Sequence, residues 1–160
     1  FMGHSAGGHL AAWAGARARL PQSSPLWAKD PLTPSAVVTL AGINDLEAYH
    51  DKGPDACGGP TVVETLVGFQ ARGAAAYADT SPPRLLPLER GQFVVSGALD
   101  PIVPPGFGEA YGSVAIKAGD PVQVLTIPES GHFELIDPRS AAWAELFPLV
   151  DALGGLPAKP

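Results

Sequence analysis

Three short, predominantly apolar runs restrict the folds that this chain can adopt. They are residues 36–41 (AVVTLA), 92–97 (QFVVSG) and 122–127 (VQVLTI). Runs of this length, rich in β-branched residues and without strict polar alternation, predict strands that are buried on both faces. Such strands occur mainly in parallel sheets that helices cover on either side.

Longer segments between and beside the runs carry helix signals. The predicted helices span residues 5–20, 61–78 (two short helices broken near Gly68), 105–118 and 138–153 (ended by Gly154 and Gly155). Strands that alternate with helices form βαβ units. With 46% hydrophobic residues in 160, the chain can fill the core of one domain. The sequence therefore predicts an α/β fold with a parallel sheet.

Residues 3–7, Gly-His-Ser-Ala-Gly, match the pattern G-x-S-x-G. In a nucleophile elbow, a sharp turn between strand and helix lifts the serine hydroxyl above the sheet, and crowding in that turn requires the glycines. A predicted helix follows at once, and residues 1–2 are expected to end the preceding strand. The pattern makes Ser5 a candidate nucleophile.

A serine hydroxyl needs a base, and the base needs an acid that orients it. In an elbow-containing sheet these partners follow later strands, the acid before the histidine. Asp100 follows the run at 92–97, and His132 follows the run at 122–127. Both residue types therefore occur in the required order, each shortly after a strand.

Each candidate has an alternative. Ser5 and Asp100 are both residue types that cap helices, and His132 is also compatible with a surface position. Asp45, which follows the run at 36–41, is a rival acid, although we expect it to cap a helical turn over residues 46–49. His4, Val103 and Phe133 are candidates for the pocket wall, with core packing as the alternative for the last two.

Four motifs taken together resemble the α/β-hydrolase superfamily. They are GHSAGGHLA, the Ser81-Pro82 pair, SGALDPIVP and ESGHFELIDP. The pattern is most similar to small carboxylesterases and arylformamidases (kynurenine-formamidase-like), with dienelactone hydrolases and prolyl-oligopeptidase-type peptidases as more distant relatives. The resemblance implies Ser5 as nucleophile, His132 as general base and acid, Asp100 as its orienter, and the backbone N–H of Ala6 as an oxyanion donor.

The chain departs from this family in one respect. The second oxyanion donor of the family comes from a glycine-rich HGG loop after an early strand, and these 160 residues contain no such loop. The early strands of the family's sheet have no counterpart either. We therefore expect residues 1–160 to be the C-terminal part of an α/β-hydrolase domain, and expect this part alone to fold poorly and to have little activity.

Composition narrows the function further. The net charge of −6, without a basic stripe, argues against nucleic-acid binding, and the sequence has no apolar run near the ~20 residues that span a bilayer. Cys57 is the single cysteine, which rules out an internal disulfide or a cysteine-rich zinc site and favours a cytoplasmic location. The expected chemistry requires no metal or organic cofactor.

The resulting expectation is a serine hydrolase. It would cleave carboxylic esters or small amides, including formamides, through an acyl-enzyme. The expected partner is a small-molecule ester or amide, and a homodimer is compatible with the sequence. A prolyl-oligopeptidase-type peptidase and a non-catalytic α/β-hydrolase-like binding protein are the alternatives.

Overall fold

The sheet of the computed structural model, which describes residues 1–154, has four parallel strands in the order β1-β2-β3-β4. The strands are β1 Met2–His4, β2 Ala36–Leu40, β3 Gly91–Gly97 and β4 Val122–Ile127. The helices are α1 Ala6–Gly15, α2 Leu46–Lys52, α3 Gly59–Val67, α4 Phe69–Arg72, α5 Pro105–Ala118 and α6 Ala141–Gly154. Short 3₁₀ turns occupy Arg17–Arg19, Gly73–Ala78, Pro82–Leu85 and Glu134–Ile136. The predicted α/β class is confirmed.

Strand β2 lies between two apolar layers. Successive side chains of a strand point to opposite faces of the sheet. Val37 accordingly packs with Ala12 of α1, whereas Val38 packs in a second cluster with Leu146 of α6. Both valines are almost fully buried. The predicted burial of this strand on both faces is therefore confirmed.

Strand β4 has the predicted bounds but not the predicted burial. Residues 123–126 are exposed, including Val124 and Leu125, which are 38% and 37% exposed. Within the described residues β4 pairs only with β3 and is an edge strand, which leaves one side uncovered. The expectation of a third buried strand is wrong for this reason.

Helix bounds differ from the predictions at several ends. Helix α1 ends at Gly15, because the chain then tightens into the 3₁₀ turn at Arg17–Arg19. Helix α2 has about two turns instead of one. Helix α6 begins three residues later than predicted, because the Ser140 hydroxyl accepts a hydrogen bond from Trp143 N–H and so caps it. The expected break at Gly68 is confirmed, and Gly155 lies outside the described residues.

Because all four strands are parallel, the loops that follow them meet at the same end of the sheet. The loops after β1, β2, β3 and β4 carry Ser5, Asp45, Asp100 and His132 respectively. Open α/β sheets bind ligands at this end. None of the helices described here has the length and apolar character needed to cross a membrane.

Candidate active site

The backbone of Ser5 adopts a strained conformation. Its φ of 57° and ψ of −122° lie in a region that non-glycine residues rarely occupy, at a typical cost of about 1–3 kcal/mol. The turn is held from both sides: Ser5 N–H donates to the Leu40 carbonyl (2.9 Å), and the Ser5 carbonyl accepts from Ile43 N–H (3.3 Å). Although Ser5 stands at the N-cap of α1, its side chain makes no capping hydrogen bond. The strained backbone and the absent cap both set Ser5 apart from an ordinary helix N-cap.

Glycine is needed at Gly3 and Gly8 but not at Gly7. A Cβ on Gly3 would overlap the backbone carbonyl of Gly7. A Cβ on Gly8 would lie 2.6 Å from the Gly42 Cα, where α1 passes over the loop after β2. A Cβ on Gly7 would meet nothing within 4 Å. The expected crowding two residues after the serine is therefore wrong, since Gly7 contributes its close-packed backbone and Gly8 its lack of a side chain.

Asp100 and His132 form a buried pair. Asp100 Oδ2 lies 2.7 Å from His132 Nδ1, and the two side chains are 0% and 4% exposed. Asp100 Oδ1 accepts hydrogen bonds from the N–H groups of Ile102 (2.8 Å) and Val103 (2.9 Å). One carboxylate oxygen thus anchors the loop after β3, and the other orients the imidazole.

The rival acid Asp45 is engaged elsewhere. Its Oδ1 accepts from Ala48 N–H (3.1 Å), which caps α2 as expected, and from the Ser81 hydroxyl (3.0 Å). Ser81 in turn accepts from Leu46 N–H (3.1 Å). Asp45 therefore stabilises the start of a helix, and Asp100 holds the histidine.

His132 lies beside the turn that contains Ser5. Its ring centroid is 4.4 Å from that of His4, the residue before Ser5, and His4 Nε2 lies 2.8 Å from the His132 carbonyl oxygen. Within residues 1–154, no hydrogen bond joins the Ser5 hydroxyl to His132. The structure thus places His132 against His4, the residue that precedes Ser5.

Ala6 is the first residue of α1. The N–H groups in the first turn of a helix have no acceptor within it, and they lie at the positive end of the helix dipole. The Ala6 N–H therefore lies at the N-terminal end of α1, directly after Ser5.

An apolar groove of about 380 Å³ opens beside Ala6. Helices α1 and α3 supply most of its wall, with Ile43 and Leu46 from the segment between them and Leu26 from the loop after α1. Leu10 and Leu66 on these helices are 57% and 65% exposed. This groove was not predicted from the sequence, in which Leu10 and Leu66 look like ordinary core residues of two helices.

Two of the three predicted pocket residues lie beside His132, and the third is buried in the core. Phe133 is 62% exposed and contacts the His132 ring edge-on, with centroids 5.1 Å apart. His4 is half-buried at the same place. Val103 is 1% exposed and packs in a core cluster with Leu46 and Tyr49. The expectation that Val103 lines the pocket is therefore wrong, because its side chain points into the core. In the described part of the chain no cluster of three metal-ligating side chains occurs.

No family model and no curated protein matches the chain. Among solved structures, it is similar to a thermophilic esterase of Thermogutta terrifontis, with 18% identity over 94% of this chain and 52% of that one and a TM-score of 0.66. That esterase is also known phosphonylated by sarin. A carboxylesterase of Lactobacillus plantarum has 20% identity over 99% and 59% of the two chains and a TM-score of 0.66.

A puromycin-hydrolysing peptidase of Mycobacterium tuberculosis is also similar, with 22% identity over 82% of this chain and 18% of that chain and a TM-score of 0.57. Together with the parallel sheet and its flanking helices, these likenesses show an α/β-hydrolase fold. The chain spans between about half and three fifths of the length of the two esterases.

Proposed function

We propose that this protein is a serine hydrolase that cleaves carboxylic esters through an acyl-enzyme formed on Ser5. The observation that carries the proposal is the buried Asp100–His132 pair at the same end of the sheet as the strained turn at Ser5. A helix cap or a surface histidine would require neither the strain nor the burial. The similarity in fold to esterases supports the same conclusion.

Each residue has a definite role in the proposed reaction. Ser5 Oγ forms a bond to the substrate carbonyl carbon while its proton passes to His132 Nε2, and the Ala6 N–H stabilises the resulting oxyanion. The C–O bond to the alcohol then breaks, and His132 returns the proton to the leaving oxygen. Water repeats the sequence on the acyl-enzyme and releases the acid. Asp100 keeps the Nδ1 proton in place and stabilises the imidazolium.

The groove beside Ala6 suggests the substrate class. Its apolar wall suits an aryl or short alkyl group and offers little to a charged one. We therefore propose short aryl esters, and N-formyl anilides as the related amides. The formamide preference rests on the resemblance of the motifs to arylformamidases.

Covalent labelling tests the nucleophile. The full-length protein is treated with a fluorophosphonate probe, and the modified peptide is identified by mass spectrometry. We expect the label on Ser5, loss of labelling in Ser5→Ala, and unchanged labelling in Ser113→Ala, which alters an exposed serine on α5. Labelling at another residue, or no labelling in folded protein, would contradict the proposal. The second of these results is the one that a non-catalytic binding protein would give.

Substrate assays test the class. We expect kcat/KM to be highest for phenyl acetate or butyrate and for N-formyl anilide, and lower for long-chain triglycerides. Because the fold similarity includes a peptidase, aminoacyl arylamides are assayed in parallel. Preference for those amides over the esters would replace the esterase proposal with a peptidase of the same chemistry.

A further inference from the structure

We propose that His4 is a positioning residue that holds the main chain of His132 in place for catalysis. The hydrogen bond from His4 Nε2 to the His132 carbonyl oxygen, at 2.8 Å, is the observation that carries it. The inference rests on the proposed function, because it assigns a role to a neighbour of the proposed nucleophile.

The strand order explains why the loop after β4 needs a contact that fixes His132 beside β1. His4 ends β1 and His132 follows β4, at opposite edges of the sheet. Three strand spacings separate these edges, about 14 Å in all. The loop after β4 must therefore return across the strand ends to place His132 beside Ser5. The His4–His132 contact, which joins residues 128 apart in sequence, fixes the end of this loop that lies beside β1.

The part of the loop closer to β4 is fixed by other hydrogen bonds. Leu99 N–H, just beyond β3, donates to the Ser130 carbonyl (2.9 Å), and Gly131 N–H donates to Glu134 Oε2 (3.0 Å). Asp100 holds the His132 ring by Nδ1, but a ring held at one nitrogen can still move with its backbone. His4 supplies a hydrogen bond to that backbone, and its ring lies against the His132 ring.

The protonation state of His4 suits this role. Burial is the main cause that lowers the pKa of His4, so the ring is neutral at neutral pH. Because Nε2 faces a carbonyl oxygen, Nε2 carries the proton and donates it. A neutral ring also avoids placing a second positive charge beside His132, whose imidazolium forms during turnover and faces Asp100 on its other side.

Two substitutions distinguish the contribution of the His4 hydrogen-bond donor from that of its aromatic ring. His4→Phe keeps an aromatic ring and removes the N–H, whereas His4→Gln keeps an amide N–H at similar reach and removes the ring. In the full-length protein we expect His4→Phe to lower kcat about 10- to 100-fold with little change in KM, since small displacements of a catalytic group have effects of this size. His4→Gln should recover most of the loss. His50→Phe, which replaces a histidine paired with Glu64 away from the site, should leave kcat unchanged.

The far-downfield NMR signal of the proton between His132 and Asp100 gives a readout independent of turnover. We expect it to be sharp in wild type and His4→Gln and broadened in His4→Phe, because the ring is less firmly held. Equal kcat and equal NMR signals in wild type and His4→Phe would overturn the positioning role, and so would equal losses in both variants. Since Ser5 labelling is measured on the same samples, failure of the esterase proposal is recognised separately by the absence of label in wild type.

Discussion

Replacement of Asp100 by Asn is the sharpest test of the acid assignment. Asn keeps the size of the side chain and one oxygen. With that oxygen on the N–H groups of Ile102 and Val103, the new amide N–H₂ faces His132 Nδ1. Nδ1 must then accept a hydrogen bond, which forces the proton onto Nε2. A ring in that tautomer cannot take the proton of Ser5.

The opposite orientation of the amide is also costly. It would return an oxygen to His132 but leave the N–H groups of Ile102 and Val103 facing a donor. Each buried N–H without an acceptor costs about 1–3 kcal/mol, so the two together disfavour the flip by about 2–6 kcal/mol. We therefore expect Asp100→Asn to lower kcat/KM by about 10³ to 10⁴, equivalent to about 4–5.5 kcal/mol.

The assay is hydrolysis of a chromogenic aryl acetate, with thermal melting to verify the fold. Asp100→Asn should melt near the wild-type temperature, because both hydrogen bonds to the loop are kept. Asp45→Asn is the matched control, and its kcat/KM should stay within about twofold, since its oxygen can still accept from Ala48 and Ser81. A loss below tenfold in Asp100→Asn, or a larger loss in Asp45→Asn, would refute the assignment.

Two further predictions concern stability. Gly3→Ala should lower the free energy of unfolding by about 1–3 kcal/mol, because its Cβ overlaps the Gly7 carbonyl. Gly7→Ala should leave that free energy unchanged or raise it by up to about 1 kcal/mol. Urea denaturation measures both variants, and equal effects would contradict the crowding argument. Burial lowers the pKa of His9, so below about pH 6.5 the unfolded chain binds more protons than the folded protein, and the free energy of unfolding should fall as the pH drops through that region. His9→Gln, which keeps an amide donor for the Thr80 carbonyl, should flatten this pH dependence. An unchanged slope in His9→Gln would contradict the assignment of the pH dependence to His9.

Local sequence patterns accounted for the strands and for the placement of Asp100 and His132. The apolar runs predicted β2 and β4 with bounds correct to within one residue, because a run of β-branched and apolar residues is a local feature of the sequence. The exposure of Val124 could not be predicted, since a central strand and an edge strand can have the same apolar sequence pattern. Which strand has a neighbour is a property of the whole sheet.

The contacts of His4 and Val103 could not be predicted from the sequence, for a different reason. His4 bonds to a carbonyl 128 residues away, and a backbone acceptor leaves no signal in the sequence. Val103 lies in the loop that carries Asp100, and its nearness to Asp100 in sequence suggested a pocket position. The direction of its side chain is set by Leu46 and Tyr49, which come from another part of the chain.

The separation of 128 residues between the two ends of the site also bears on how the protein is made. A ribosome adds about 5–20 residues per second, so His132 is synthesised about 6 to 26 s after the serine turn. During that interval Ser5 can pack against the end of β2, through its hydrogen bond to the Leu40 carbonyl, but the base of the proposed mechanism does not yet exist. Under the proposed function, a nascent chain that stops before residue 132 would therefore carry an unactivated serine, and reactivity would arise only after β4 has joined the sheet.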